Sequence, residues 1–147
     1  MIELPQVTVI IVDTLNYAGA IHAIKKTLEQ IKPAKVVWFT DRIFDFPEVE
    51  IRQISAIKSK SEYSRFIIKG LAQAFETSHC LVIQHDGYVI DGSAWNDEFL
   101  HYDFIGAPWL YPDDRNVGNG GFSLRSKALQ IVLEHVEIEI IEPEDEI

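Results

Sequence analysis

Val7-Thr8-Val9-Ile10-Ile11-Val12 is a β-branched run with no polar face, which predicts a strand buried on both sides, as in a parallel sheet. It breaks at the polar cluster Asp13-Thr14-Leu15-Asn16. Ile21, Ile24, Leu28 and Ile31 then recur at helical spacing while Lys25, Lys26, Glu29 and Gln30 take the other side. An amphipathic helix follows from that period, with Pro33 expected to end it. Val36-Val37-Trp38-Phe39 repeats the buried-strand pattern and finishes at a second polar tip, Thr40-Asp41-Arg42. Two such strands joined by one helix imply a right-handed parallel pair.

Residues 43–47 read as a loop, and Val49 to Ile54 alternates as a half-exposed strand near a sheet edge does. Ser59-Lys60-Ser61-Glu62 is a capping box, opening a helix whose Tyr63, Phe66, Ile67, Leu71, Ala74 and Phe75 face the sheet. Leu81-Val82-Ile83 is a further buried strand that breaks into Gln84-His85-Asp86-Gly87. Ligands of open α/β sheets bind outside the carboxyl ends of strands, so Asp86 is placed to meet a ligand or cation. Asp86-Gly87 reads equally as a hairpin loop with Tyr88-Val89-Ile90 as the returning strand. His85, between Gln84 and Asp86, points to the opposite side of an extended strand end and reads as core or surface.

Beyond Ile90 the chain turns to short aromatic pieces rich in turn residues. Trp95 and Trp109 read as core, with stacking on a sugar ring as the alternative. Val117-Gly118-Asn119-Gly120-Gly121-Phe122 either approaches a ligand closely through its backbone or makes a tight turn into the next strand. Ser126 to His135 predicts a short helix with Leu129, Val132 and Leu133 inward, and Glu137 to Ile141 alternates briefly.

Composition narrows the function. The 147 residues, 47% of them hydrophobic, suit one domain, 1–147, with a real core. A formal charge of -10 argues against a nucleic-acid-binding face, which wants clustered Lys and Arg. Part of the excess is a local acidic tail from Glu134 to Glu146, which by itself reads as a solvated end. The single cysteine, Cys80, allows no internal disulfide and has no metal-motif partner, so a reducing, cytoplasmic setting is expected. No apolar run approaches the roughly 18 residues that span a bilayer. Gly-x-Gly-x-x-Gly does not follow the first strand and Gly-x-x-x-x-Gly-Lys is absent, which disfavours dinucleotide and P-loop folds. His22, His79, His101 and His135 share no spacing and read as structural.

Gln84-x-Asp86-Gly87-Tyr88-Val89, Asp103-Phe104-Ile105-Gly106-Ala107-Pro108-Trp109 and Gly118-Asn119-Gly120-Gly121-Phe122-Ser123-Leu124-Arg125-Ser126, in this order, resemble a family of uncharacterised glycosyltransferase-like proteins of GT-A type. Tyr63-Ser64 and Thr77-x-His79 fit the same pattern, so the resemblance runs from about Val7 to the last residue. More distantly, Gly-Gly-Phe followed by a Glu-Asp pair is similar to fringe-like β-1,3-glycosyltransferases. The resemblance implies a Rossmann-like α/β sandwich with a mostly parallel sheet. It also implies transfer of a sugar from a nucleotide-sugar donor to a glycan or other hydroxyl acceptor with a divalent cation, Mn²⁺ or Mg²⁺.

On that resemblance Asp86 stands where GT-A enzymes hold the cation, and Gln84 departs from the Asp that usually opens the triplet. Asp13, Thr14, Thr40 and Asp41 fall where base and ribose sit, Gln84 within reach of a ribose hydroxyl. Asn119, Gly120 and Gly121 line the sugar pocket, and Asp145, with Glu144 as alternate, is the candidate base. Family members continue past the point where this sequence stops, which implies a truncated enzyme or a reduced domain. The alternative is a non-catalytic nucleotide- or carbohydrate-binding module on a degenerate GT-A fold.

Overall fold

The computed structural model describes residues 1–107 and 120–137. Strand β1 (Ile2–Val12) leads through helix α1 (Tyr17–Gln30) to β2 (Ile31–Thr40) and β3 (Glu50–Gln53). Helix α2 (Lys60–Lys69) precedes β4 (His79–Ile83), then come two 3₁₀ turns, Gly92–Ala94 and Asp97–His101. Strands β5 (Phe104–Gly106) and β6 (Ser123–Ser126) and helix α3 (Lys127–His135) complete the described elements.

The strands form one sheet in the order β3-β2-β1-β4-β6-β5. β1 pairs in parallel with both β2 and β4, β3 joins β2 in parallel, and β6 runs antiparallel between β4 and β5. The β-branched run of β1 is buried from Val7 to Val12, as its lack of a polar face requires. Alternate strand positions divide the core in two. Val9, Ile11, Trp38, Leu81, Ile83 and Leu124 pack with Ala20, Ala23 and Ile24 of α1 on one face. Ile10, Val12, Val37, Phe39, Cys80 and Val82 pack with Ile67 of α2 and with Leu71, Ala74 and Phe75 on the other.

Local signals act as their chemistry dictates. Ser59 Oγ accepts from Glu62 N at 3.1 Å, and Glu62 Oε2 reaches back to Lys58 N at 2.8 Å, so the capping box closes one residue early. Asn16 Oδ1 starts α1 by accepting from Gly19 N at 2.9 Å.

Three expectations are corrected. Pro33 does not end α1: the helix stops at Gln30 and the chain passes directly into β2, where Pro33 lies opposite Leu4. The β1–β2 register slips between Leu4 and Thr8, beside Pro5 and Pro33, neither of which has an N–H to give the ladder. Tyr88-Val89-Ile90 forms no returning strand; only Gln84 and Gly87 bridge. Val132 of α3 faces solvent, and the fully buried position is Gln130.

Gln130 is buried because it is paired twice. Its Oε1 accepts from Arg125 Nη1 at 3.2 Å and its Nε2 donates to the Ile67 carbonyl at 2.9 Å, joining β6, α2 and α3. Gln130→Leu strips an acceptor from a buried guanidinium and a donor from a buried carbonyl. It should lower the unfolding free energy by about 2–4 kcal/mol, read as a drop in urea midpoint at unchanged slope.

Candidate ligand site at the carboxyl edge of the sheet

The chain leaves β1 toward β2 on one side and, after α2, returns as β4 on the other. The strand order therefore reverses between β1 and β4. A crevice opens at such a point outside the carboxyl ends of the strands. Asp13, immediately past β1, extends the pairing by donating its N–H to the Phe39 carbonyl at 3.0 Å, and its own carbonyl accepts from Trp38 Nε1 at 3.1 Å. Its Oδ1 accepts from Leu15 N at 2.8 Å and Asn16 N at 2.7 Å, which fixes the carboxylate. Its Oδ2 lies 3.7 Å from Nδ1 of His85.

His85 and Asp86 are the two middle residues of a tight turn closed by Gln84 N to Gly87 O at 2.8 Å and Gly87 N to Gln84 O at 3.1 Å. The hairpin geometry is thus real, shifted one residue toward the N-terminus, and it holds Asp86 exposed at the tip of β4. The glycine segment comes up close against Gly87. A Cβ there would sit 3.3 Å from Phe122 Cβ and 3.6 Å from the Gly121 carbonyl. Since Val82 pairs with Ser123, Gln84 and Gly121 arrive at the same level of the sheet. The Gly120 carbonyl accepts from Ser123 Oγ at 3.3 Å. Asp13, Asp86, Gly120 and Gly121 are thereby brought to one edge.

Other candidates are engaged within the protein. Gln84 Nε2 donates to Tyr63 Oη at 2.9 Å. Thr14 Oγ1 accepts from Ile57 N at 2.8 Å, and Thr40 Oγ1 is fully buried with no partner among the described residues. Asp41 Oδ1 lies 2.8 Å from Tyr17 Oη, which also lies 3.0 Å from the Thr14 carbonyl. Asn119, Glu144, Asp145 and Trp109 fall outside the described residues. Trp95, half-buried, packs on the core and donates Nε1–H to Asp97 Oδ1 at 2.8 Å.

Two residues that carry the resemblance but have no assigned role there are drawn into the network around the edge. Tyr63 stands under the edge in the first turn of α2. Arg125, buried on β6, has Nε 3.1 Å from Ser123 Oγ and its guanidinium 5.1 Å from the Phe104 ring centre. The one available signal for Arg125 was a charged residue inside an otherwise buriable strand, Ser123-Leu124-Arg125-Ser126. Burial holds its pKa below the usual arginine range.

No three His, Cys, Asp or Glu side chains converge among the described residues. Asp86, with Asp13 one strand away, suits a hard cation that draws its other oxygens from phosphate and water; it does not make an all-protein cage. Among the described residues no helix is long and apolar enough to cross a membrane.

A family described as a protein of unknown function, DUF5672, matches residues 47–145. The chain belongs to that family. The matched region takes in Tyr63, the Gln84 turn and the glycine segment. No curated protein matches the sequence. Among solved structures, a mannosyltransferase from Pyrobaculum calidifontis, in complex with GDP-Man and Mn²⁺, is similar at 11% identity and TM-score 0.57, over 88% of this chain and 47% of that one. The glycosyltransferase GlyE of Streptococcus pneumoniae TIGR4, in its apo form, gives 12% identity and TM-score 0.48, over 85% and 34%. The chain thus spans about half the length of the mannosyltransferase. The DUF5672 chain has the GT-A-like α/β fold, a mostly parallel sheet flanked by helices.

Burial raises the Tyr63 pKa from its ordinary 10.0, against a lowering by the Gln84 hydrogen bond. Burial likewise pushes the Cys80 thiol from 9.0 to about 12. In both cases the unfolded chain releases its proton at lower pH than the folded one, so stability held below pH 9 falls as pH rises. In urea titrations between about pH 8 and 11, Tyr63→Phe should flatten the part of that fall that begins near pH 10. Parallel curves for the two proteins would rule the tyrosine out.

Proposed function

We propose that the DUF5672 chain is a glycosyltransferase domain that takes a nucleotide-sugar with a divalent cation and passes the sugar to an acceptor hydroxyl. The observation that carries this reading is the meeting, at the reversal point of the sheet, of the Asp13 carboxylate, the Asp86 turn and the Gly121 backbone. Such a point is where α/β sheets of this topology take phosphate-bearing ligands.

In this reading Asp86 ligates Mn²⁺ or Mg²⁺ together with the donor's diphosphate. When bound, the cation offsets charge that builds on the leaving diphosphate. Asp13 and Asp41, at the tips of β1 and β2, face the nucleoside, with the buried Thr14 and Thr40 behind them, and Gln84 offers Oε1 to a ribose hydroxyl while Tyr63 accepts from its Nε2. Asn119, Gly120 and Gly121 line the sugar, and Asp145, or Glu144, takes the acceptor proton. A reducing, cytoplasmic setting belongs to the same proposal, supported by Cys80 as a buried free thiol.

A second reading, a nucleotide- or carbohydrate-binding module without turnover, is favoured by one observation. Gln84, a neutral amide where a second carboxylate is usual, is tied into the protein by Tyr63. Calorimetry with nucleoside diphosphates, with and without Mn²⁺, should show metal-dependent binding that Asp86→Ala weakens at least tenfold. Hydrolysis of donor sugar that Asp145→Ala abolishes would single out the transferase, and binding without hydrolysis would single out the module. Absence of nucleotide binding in both conditions would sink both.

A further inference from the structure

Behind the glycine segment runs a chain of buried hydrogen bonds that no step above uses. Ser123 and Arg125 are both buried on β6, and strand alternation turns them to the face opposite Leu124, toward α2 and α3. Arg125 Nε donates to Ser123 Oγ at 3.1 Å and Nη1 to Gln130 Oε1 at 3.2 Å, while Gln130 Nε2 donates to the Ile67 carbonyl at 2.9 Å. Ser123 Oγ in turn lies 3.3 Å from the Gly120 carbonyl. A guanidinium only donates and a carbonyl only accepts, so the direction of every bond in the chain is fixed. Because Arg125 occupies a lone pair of Ser123 Oγ, the one hydroxyl proton is left for Gly120.

Among the described residues no carboxylate pairs with Arg125. A buried guanidinium without an ion partner costs folding free energy, and an apolar side chain would fill the place without that cost. What the arginine adds is direction.

We propose that Arg125, acting through the Ser123 hydroxyl, positions the glycine segment against the donor sugar. This rests on the nucleotide-sugar reading above, in which Gly120 and Gly121 line the sugar. The Gly120 carbonyl and the Gly121 N–H belong to one planar peptide unit, so holding the carbonyl holds the plane. Two consecutive glycines have no Cβ to restrict that plane, and left to itself the segment would populate several orientations. The Ser123 hydroxyl selects one from within the protein. On its other side the segment is limited by the Gln84–Gly87 turn, where the Gly121 carbonyl and Phe122 come up close against Gly87. Backbone that lines a ligand serves only if it keeps its geometry to about 0.5 Å. Arginine suits the task because its planar fork reaches Ser123 and Gln130 at once, which a lysine ammonium on a flexible stem does not.

Calorimetry on the full chain with Mn²⁺, using GDP, UDP, ADP and dTDP beside GDP-mannose, UDP-glucose, ADP-glucose and dTDP-glucose, separates a positioning role from a structural one. For the pair that wild-type protein binds, Ser123→Ala should weaken the nucleotide-sugar about five- to tenfold and leave the parent diphosphate within about twofold. Arg125→Lys should shift the same ratio in the same direction. The double variant should do no more than Ser123→Ala, since both changes act on one bond. A merely structural role weakens both ligands alike or lowers the urea midpoint alone. Equal weakening of the two ligands, a ratio untouched by Ser123→Ala, or additive effects in the double variant would overturn the positioning role and leave the transferase reading standing. Where Arg125→Lys fails to fold, Ser123→Ala decides alone. No binding of any of these ligands by wild-type protein would overturn both.

Discussion

Parallel pairing of β1 on both of its sides is the constraint from which the rest of the structure follows. Ile10 and Ile11 are in register with Val37 and Trp38 on one side and with Val82 and Ile83 on the other. Parallel ladders align strand ends instead of alternating them, so the carboxyl tips of β1, β2 and β4 emerge at one edge. The β-branched run makes this arrangement stable, because every side chain of its buried half is apolar or, like Thr8, internally bonded. Polar residues that follow such runs emerge at that edge, which is why Asp13, Asp41 and Asp86 stand at the tips of three neighbouring strands without being near one another in sequence.

The parts of the fold that were legible are those where a local pattern and the tertiary structure demand the same thing. Val7 to Val12, the helical period from Ile21 to Leu28, the Ser59 cap and the edge character of residues 50–53 all belong to that class. Pro33 misled because a proline after an apolar period is a stop signal in a helix. Here it is tolerated in a strand, since the ladder is already interrupted next to Pro5. Val132 misled for a different reason. Helical period alone cannot anticipate that a buried arginine on β6 requires an acceptor, and that requirement turns Gln130 inward at the expense of its apolar neighbours.

The candidate site was legible as a set of strand tips and illegible as a network. Nothing in the linear order shows that Phe122 and Gly121 come up close against Gly87, or that Gln84 bonds to Tyr63. The first depends on β6 inserting antiparallel beside β4 and the second on α2 bringing Tyr63 to the tip of β4, long-range contacts with no local signature. The same insertion delivers the glycine segment to the Asp86 turn, so the feature that makes the site coherent is the one least visible in sequence.

An amide at Gln84 makes physical sense in that network. A carboxylate at this position would face the largely buried Tyr63 hydroxyl as acceptor to donor, and its charge would join those of Asp13 and Asp86 in the same crevice. Packing three carboxylates at one strand junction without a resident cation costs free energy through mutual repulsion and partial desolvation. Gln84 adds no charge there and donates to Tyr63 Oη instead. On the proposed transferase reading, a cation here would draw its affinity largely from the phosphates that arrive with it. Metal and nucleotide would then bind together, each weakly alone.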